Sequence, residues 1–178
     1  IIEENRPTVT FEDYLMIFDF PVEQYYAKVY DLNKTSFKVL AHTFIERYMP
    51  RSMQLELHEG VLDAIKHAKE KGYQNVLLSA SEENNLKRQL SHYGIEHEFD
   101  AVLGTSNVYA KSKIEVGLNF IKENRIDPKS CLMIGDTLHD AEVADALGVP
   151  IVIYTKGHQH PSRLTDFVNI SHFHELID

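Results

Sequence analysis

The sequence predicts an α/β protein, a doubly wound parallel sheet preceded by a small all-helical unit. Three observations predict it. From Gln54 onward, short apolar runs alternate with amphipathic helical segments, as in parallel strands covered by helices on both faces. The first fifty residues instead hold ten of the chain's eighteen aromatics and read as helices. Finally, the apolar run from Cys131 stops at Gly135-Asp136, and a second aspartate, Asp140, follows four residues later.

In the first region, Phe11 to Phe18 and Val22 to Val29 read as short helices parted at Pro21. Phe37, Leu40, Ala41, Phe44, Ile45 and Tyr48 recur at i, i+3, i+4, i+7, i+8 and i+11, which predicts an amphipathic helix ending near Pro50. We therefore expect a helical domain over 1–53 and an α/β domain over 54–178. In the second region, Val61 to Lys71 predicts a helix stopped by Gly72, and Asn75 to Ser79 a short strand. Glu82 to Tyr93 predicts a helix stopped by Gly94, and Asp100 to Gly104 another strand. Ile114, Leu118 and Ile121 mark the face of a helix closed by Asp127-Pro128. Cys131 to Gly135 is expected as a buried strand, Leu138 to Leu147 as the helix after it, and Pro150 to Tyr154 and Phe167 to Ile170 as the last strands.

Composition excludes several classes. A formal net charge of −9, with no Lys/Arg stripe interleaved with aromatics, argues against nucleic acid as a partner. No apolar run approaches the ~18 residues a membrane helix needs, so no membrane partner is expected. One cysteine, Cys131, excludes an intrachain disulfide and a cysteine-based zinc cluster, and fits a reducing, cytoplasmic setting. The chain opens on Ile1-Ile2-Glu3 without Met, which leads us to expect further residues upstream.

Four residues carry the candidate chemistry. Asp136 at the carboxyl end of a buried strand and Asp140 in the first turn of the next helix would face the crevice where open α/β sheets place ligands. Two hard oxygen donors there suit Mg²⁺, which takes one or two carboxylates plus waters and a phosphate. The alternative is a helix N-terminus decorated with acids as cap and dipole partners. Ser79 is expected at a strand's carboxyl end, where its hydroxyl could donate to a phosphoryl oxygen, although serine at a strand end is common; Ser81 is most simply an N-cap. Lys111 and Lys113 precede a helix; either is a solvated surface lysine or the cation that offsets a phosphate beside two carboxylates. The histidines around His158-Gln159-His160 and His172-Phe173-His174 read as loop and surface residues, with His158 just past a strand end.

With Ser79, Lys111 and Gly135-Asp136-Thr137-Leu138-His139-Asp140 in order, the chain resembles the haloacid dehalogenase superfamily over nearly its whole length. Within it, the likeness is to phosphoglycolate-phosphatase-like hydrolases with a small helical cap. Lys111 is preferred over Lys113 because it stands at the family's customary distance before the metal-binding aspartate. The resemblance implies Mg²⁺ held by Asp136 and Asp140, phosphoryl oxygens positioned by Ser79 and Lys111, and a small phosphorylated metabolite as substrate. It implies hydrolysis of a phosphate monoester through an aspartyl-phosphate intermediate.

One departure matters. The family's first motif, Asp-x-Asp-Gly-Thr on the central strand, has no counterpart here. Ile17-Phe18-Asp19-Phe20-Pro21 has one aspartate, lacks Gly-Thr, and lies within the helical pattern, so Asp19 is rejected as nucleophile. The expectation is that the central strand and its aspartates lie upstream of Ile1. Related readings are a phosphosugar mutase, a haloacid dehalogenase (which needs no metal), or a non-catalytic binding domain that lacks the nucleophile.

Overall fold

The computed structural model describes residues 9–105 and 113–177, and Lys111 lies outside them. Two compact units are interleaved along the chain. One gathers the residues through Gln54 with Ile134–Glu142 and Ile151–Ser171; the other gathers Leu55–Met133, Val143–Pro150 and the chain from His172.

The first unit begins with helices α1 (Phe11–Ile17), α2 (Val22–Val29) and α3 (Phe37–Ser52). Thr10 caps α1 by accepting a 3.0 Å hydrogen bond from the Asp13 amide, and Glu12 and Asp13 place negative charge in its first turn. Buried Tyr26 and Val29 form the inner face of α2, and the Tyr26 ring meets Phe37 edge-on at 5.4 Å. Helix α3 carries Pro50 within its last turn and ends at Ser52, past the expected stop. Its stripe is buried only in part. Phe37, Leu40 and Ala41 are half-buried, whereas Phe44 and Tyr48 are exposed and stack on each other at 5.5 Å. The i, i+4 spacing that suggested a core contact is satisfied there by the helix's own neighbour.

The same unit holds strands β3 (Met133–Gly135, from Ile134), β4 (Ile151–Tyr154) and β5 (Asn169–Ile170), in the order β3-β4-β5. Strands β4 and β5 are parallel, with Ile153 opposite Asn169 and Tyr154 opposite Ile170. The continuously apolar β4 lies in the middle, and Ile153 and Leu164 are wholly excluded from solvent. The strand expected from Cys131 starts two residues later. The Cys131 amide instead bonds the Pro128 carbonyl at 3.2 Å, closing a 3-10 turn over Pro128–Ser130. Ile134 is 44% exposed, so β3 is not the fully buried strand the apolar run suggested.

The second unit contains α4 (Val61–Glu70), β1 (Val76–Glu82), α5 (Glu83–Tyr93), β2 (Ala101–Thr105), α6 (Lys113–Asn124) and the later part of α7 (Leu138–Leu147). Its strands β1 and β2 pair in parallel. Val143, Leu147 and Val149 form its core, packed by Leu78, Ile114, Ile121, Cys131 and Met133. The sequence correctly places the helix stops at Gly72 and Gly94. Among the described residues, the strands form two hydrogen-bonded sheets rather than one, β1-β2 and β3-β4-β5. No helix among these residues is long and apolar enough to cross a membrane.

Candidate active site

Asp136 and Asp140 are brought together by a single turn. Strand β3 ends at Gly135, and α7 starts at Leu138, so two residues, Asp136 and Thr137, must turn the chain. The Asp140 carboxylate organises that turn. Its Oδ2 accepts hydrogen bonds from the Asp136 amide (3.0 Å), the Thr137 amide (3.0 Å) and the Thr137 hydroxyl (2.8 Å). In return, the Asp140 amide donates to Thr137 Oγ1 at 3.2 Å. Thr137-x-x-Asp140 is therefore a reciprocal capping box. The capping alternative is realised at Asp140, with an additional bond to the Asp136 amide that ordinary capping does not require. Asp140 is also buried, at 6% exposure, where polar atoms need such hydrogen-bond partners.

Two glycines make room for the pair. A Cβ on Gly135 would collide with Asp140 Cβ, and one on Gly157 would collide with the Asp136 side chain. Close approach thus excludes side chains at both positions. The Asp136 Oδ2 atom accepts a 2.8 Å hydrogen bond from the His158 amide, in the loop that follows β4.

The same loop meets the helical segment. Tyr14 on α1 shares a 2.6 Å hydrogen bond with His158 Nδ1. Burial pushes the Tyr14 phenol well above its ordinary value, with Tyr25 and then Asp136 adding to the shift. Gln159 is 1% exposed; its Oε1 accepts from the Leu138 amide at 2.7 Å, and its Nε2 donates to the Phe18 carbonyl at 3.0 Å. Asp19, rejected as nucleophile, lies between α1 and α2, where it pairs with Arg163 at 3.4 Å and Lys28 at 3.7 Å.

Ser79 belongs to the other compact unit and is described there. It is not the last residue of its strand. Regular pairing stops at Leu78, and β1 then bulges before Glu82 pairs with Thr105. Within the bulge, Ser79 Oγ accepts from the Ser81 amide at 3.1 Å, a local turn of the kind serine favours. Gly104 of β2 backs directly onto Ser81 and Glu83. Ser81 is not the cap of α5. Glu82 takes that place, accepting from the Asn84 and Asn85 amides at 3.1 and 3.0 Å, because β1 runs through Ser81. Those hydrogen bonds, led by the one from the Asn84 amide, hold the exposed Glu82 carboxyl below its ordinary value. Lys113 is the first residue of α6, and the segment carrying Lys111 lies outside the described residues.

The sequence reading missed Thr137, Gly157 and Gln159. The Thr-x-x-Asp spacing of a capping box was visible inside the aspartate motif. For Gly157 and Gln159 no local signal exists, since their partners stand about twenty and more residues away in the chain.

The family model for haloacid dehalogenase-like hydrolases matches residues 1–154. Among curated proteins, the chain is 27% identical over 103 residues to the tyrosine-protein kinase PtkA of Mycobacterium tuberculosis, covering 57% of this chain and 35% of that protein. It is 26% identical over 118 residues to phosphoglycolate phosphatase 1 of Pseudomonas aeruginosa, covering 66% of this chain and 43% of the relative. The chain thus spans less than half the length of these two relatives. Among solved structures, a haloacid dehalogenase-like hydrolase from Streptococcus pneumoniae superimposes with a TM-score of 0.78 at 16% identity, covering 99% of this chain and 84% of the other. That likeness shows the fold. With the strand–Gly-Asp-turn–helix geometry above and a family match over most of its length, this chain belongs to the haloacid dehalogenase-like hydrolase family.

Proposed function

We propose that the protein carrying this chain hydrolyses phosphate monoesters of small metabolites, using Mg²⁺ held by Asp136 and Asp140. The observation that carries this reading is the carboxylate pair at the end of β3, given room by Gly135 and Gly157 and gripped by backbone donors. The donor set fits the ion: both ligands are hard oxygens, and Mg²⁺ retains water and phosphate for its remaining positions. When bound, Mg²⁺ supplies charge that offsets the phosphoryl oxygens. The phosphoglycolate phosphatase relative supports this substrate class.

In this reading, Ser79 and Lys111 orient the phosphoryl oxygens, and residues 1–53 act as a cap over the α/β core of 54–178. The phosphoryl group passes through an aspartyl-phosphate whose aspartate lies outside these 178 residues, since no motif here matches it. A cytoplasmic setting fits the single cysteine. The identity to a tyrosine kinase favours a second reading, in which tyrosine takes the place of water as phosphoryl acceptor.

The test uses the longer protein with phosphoglycolate or p-nitrophenyl phosphate. Phosphate release should depend on Mg²⁺ and fall by on the order of a hundredfold in Asp136→Asn. Near wild-type turnover in that variant removes Asp136 from the mechanism. Label appearing on a tyrosine peptide, with no phosphate release, selects the second reading.

A further inference from the structure

The loop from Gly157 to Arg163 has two faces, and each is occupied. One face grips the aspartate turn, with the His158 amide on Asp136 Oδ2 at 2.8 Å and Gln159 Oε1 on the Leu138 amide at 2.7 Å. The other face grips the end of α1. Gln159 Nε2 and Arg163 Nη1 both donate to the Phe18 carbonyl, at 3.0 and 2.6 Å. Arg163 Nη1 also donates to the Met16 carbonyl at 3.2 Å, and the His160 amide donates to the Leu15 carbonyl at 3.0 Å. Carbonyls at a helix C-terminus have no partner within the helix, so these donors are what α1 needs to end there.

Gln159 is the one side chain in this set that bonds to both faces. Its amide has a donor end and an acceptor end, and at 1% exposure neither can turn to water if its partner moves. A displaced Phe18 carbonyl therefore loosens the hold on Leu138, the residue between Thr137 and the rest of α7. The reverse also follows, because a coupling between two sites acts equally in both directions.

We propose that Gln159 is a positioning residue that couples metal binding at Asp136 and Asp140 to docking of the α1–α2 link. The inference rests on the Mg²⁺ reading above. Residues behind a metal's direct ligands commonly set its affinity, and their loss costs about tenfold or more.

The experiment uses the full chain with MgCl₂ as the probe. Calorimetry measures Mg²⁺ affinity, hydrogen exchange follows the amides of residues 15–20 with and without the ion, and thermal unfolding is recorded alongside. In the wild type, Mg²⁺ should slow exchange across 15–20. In Gln159→Met, which keeps the volume and removes both hydrogen bonds, affinity should fall about tenfold and that protection should disappear. Arg163→Ala, which touches only the α1 side, should weaken Mg²⁺ binding in the same direction, and it carries the test if Gln159→Met does not fold. If the variants melt earlier yet bind Mg²⁺ as the wild type does, Gln159 is merely structural and the proposal is overturned while the metal reading stands. If the wild type binds no Mg²⁺, the metal reading fails and this inference fails with it.

Discussion

At the scale of single residues, the site depends as much on what is missing from two side chains as on the two carboxylates. Gly157→Ala forces a methyl group into the Asp136 side chain, so something must shift. We expect that variant to lose ~1–3 kcal/mol of stability, as overpacking does, and to bind Mg²⁺ more weakly; titration and denaturant midpoints check both. Thr137→Ala removes the hydroxyl that both gives and takes a hydrogen bond with Asp140, and should cost about 1 kcal/mol, whereas Thr137→Ser should retain most of it. The placement of Asp136 after a strand and Asp140 in the first turn of a helix was legible because a strand stop and a helix start sit side by side in sequence. Gly157 and Gln159 were not, because their roles come from atoms that only folding brings near.

At the scale of elements, helix α2 carries a consequence for alkaline pH. Burial, with Tyr30 and then Tyr25 adding, pushes the Tyr26 phenol from 10.0 up to about 12. A group whose pKa is raised on folding stabilises fully below its unfolded value, and that stability drains away as pH climbs toward the folded value. Stability should thus be level with respect to Tyr26 below pH 10 and decline between pH 10 and about 12. Tyr26→Phe should show a shallower decline over that window in pH-dependent urea midpoints; an unchanged slope would refute the assignment. Elements were legible to within a few residues where composition changes abruptly, as at Gly72 and Gly94. They were misjudged where two local preferences compete. Ser81 is a good cap by type, but β1 pulls it into the strand and hands the helix start to Glu82. The α3 stripe reads as core, yet its distal half is satisfied by Phe44 stacking on Tyr48.

At the scale of the whole molecule, α/β class and family were legible because alternation and motif order are long-range patterns that local errors do not erase. The division into units was harder to read, since the helical segment packs with residues from two later stretches of chain. Apolar strand residues are exposed in both units: Ile134 at 44% in one and Val76 at 36% in the other. We expect residues 1–178 alone to bind a hydrophobic dye and to associate at high concentration, measurable by fluorescence and light scattering. Because no residue here matches the nucleophile motif, that chain should also release no phosphate at any Mg²⁺ concentration. Turnover by it would place the nucleophile among these residues and overturn the proposed chemistry.

The interleaving of the units has a consequence for synthesis. The helical segment is synthesised well before the stretches it packs with, since its unit closes only with Ser171, and the other unit only with the residues after it. At ordinary elongation rates, α1 to α3 wait on the order of ten seconds for His158 and Gln159, the later residues that bond Tyr14 and the Phe18 carbonyl. For that interval the nascent chain presents its most aromatic stretch to whatever is nearby, and holding chaperones should engage it there in preference to any later segment.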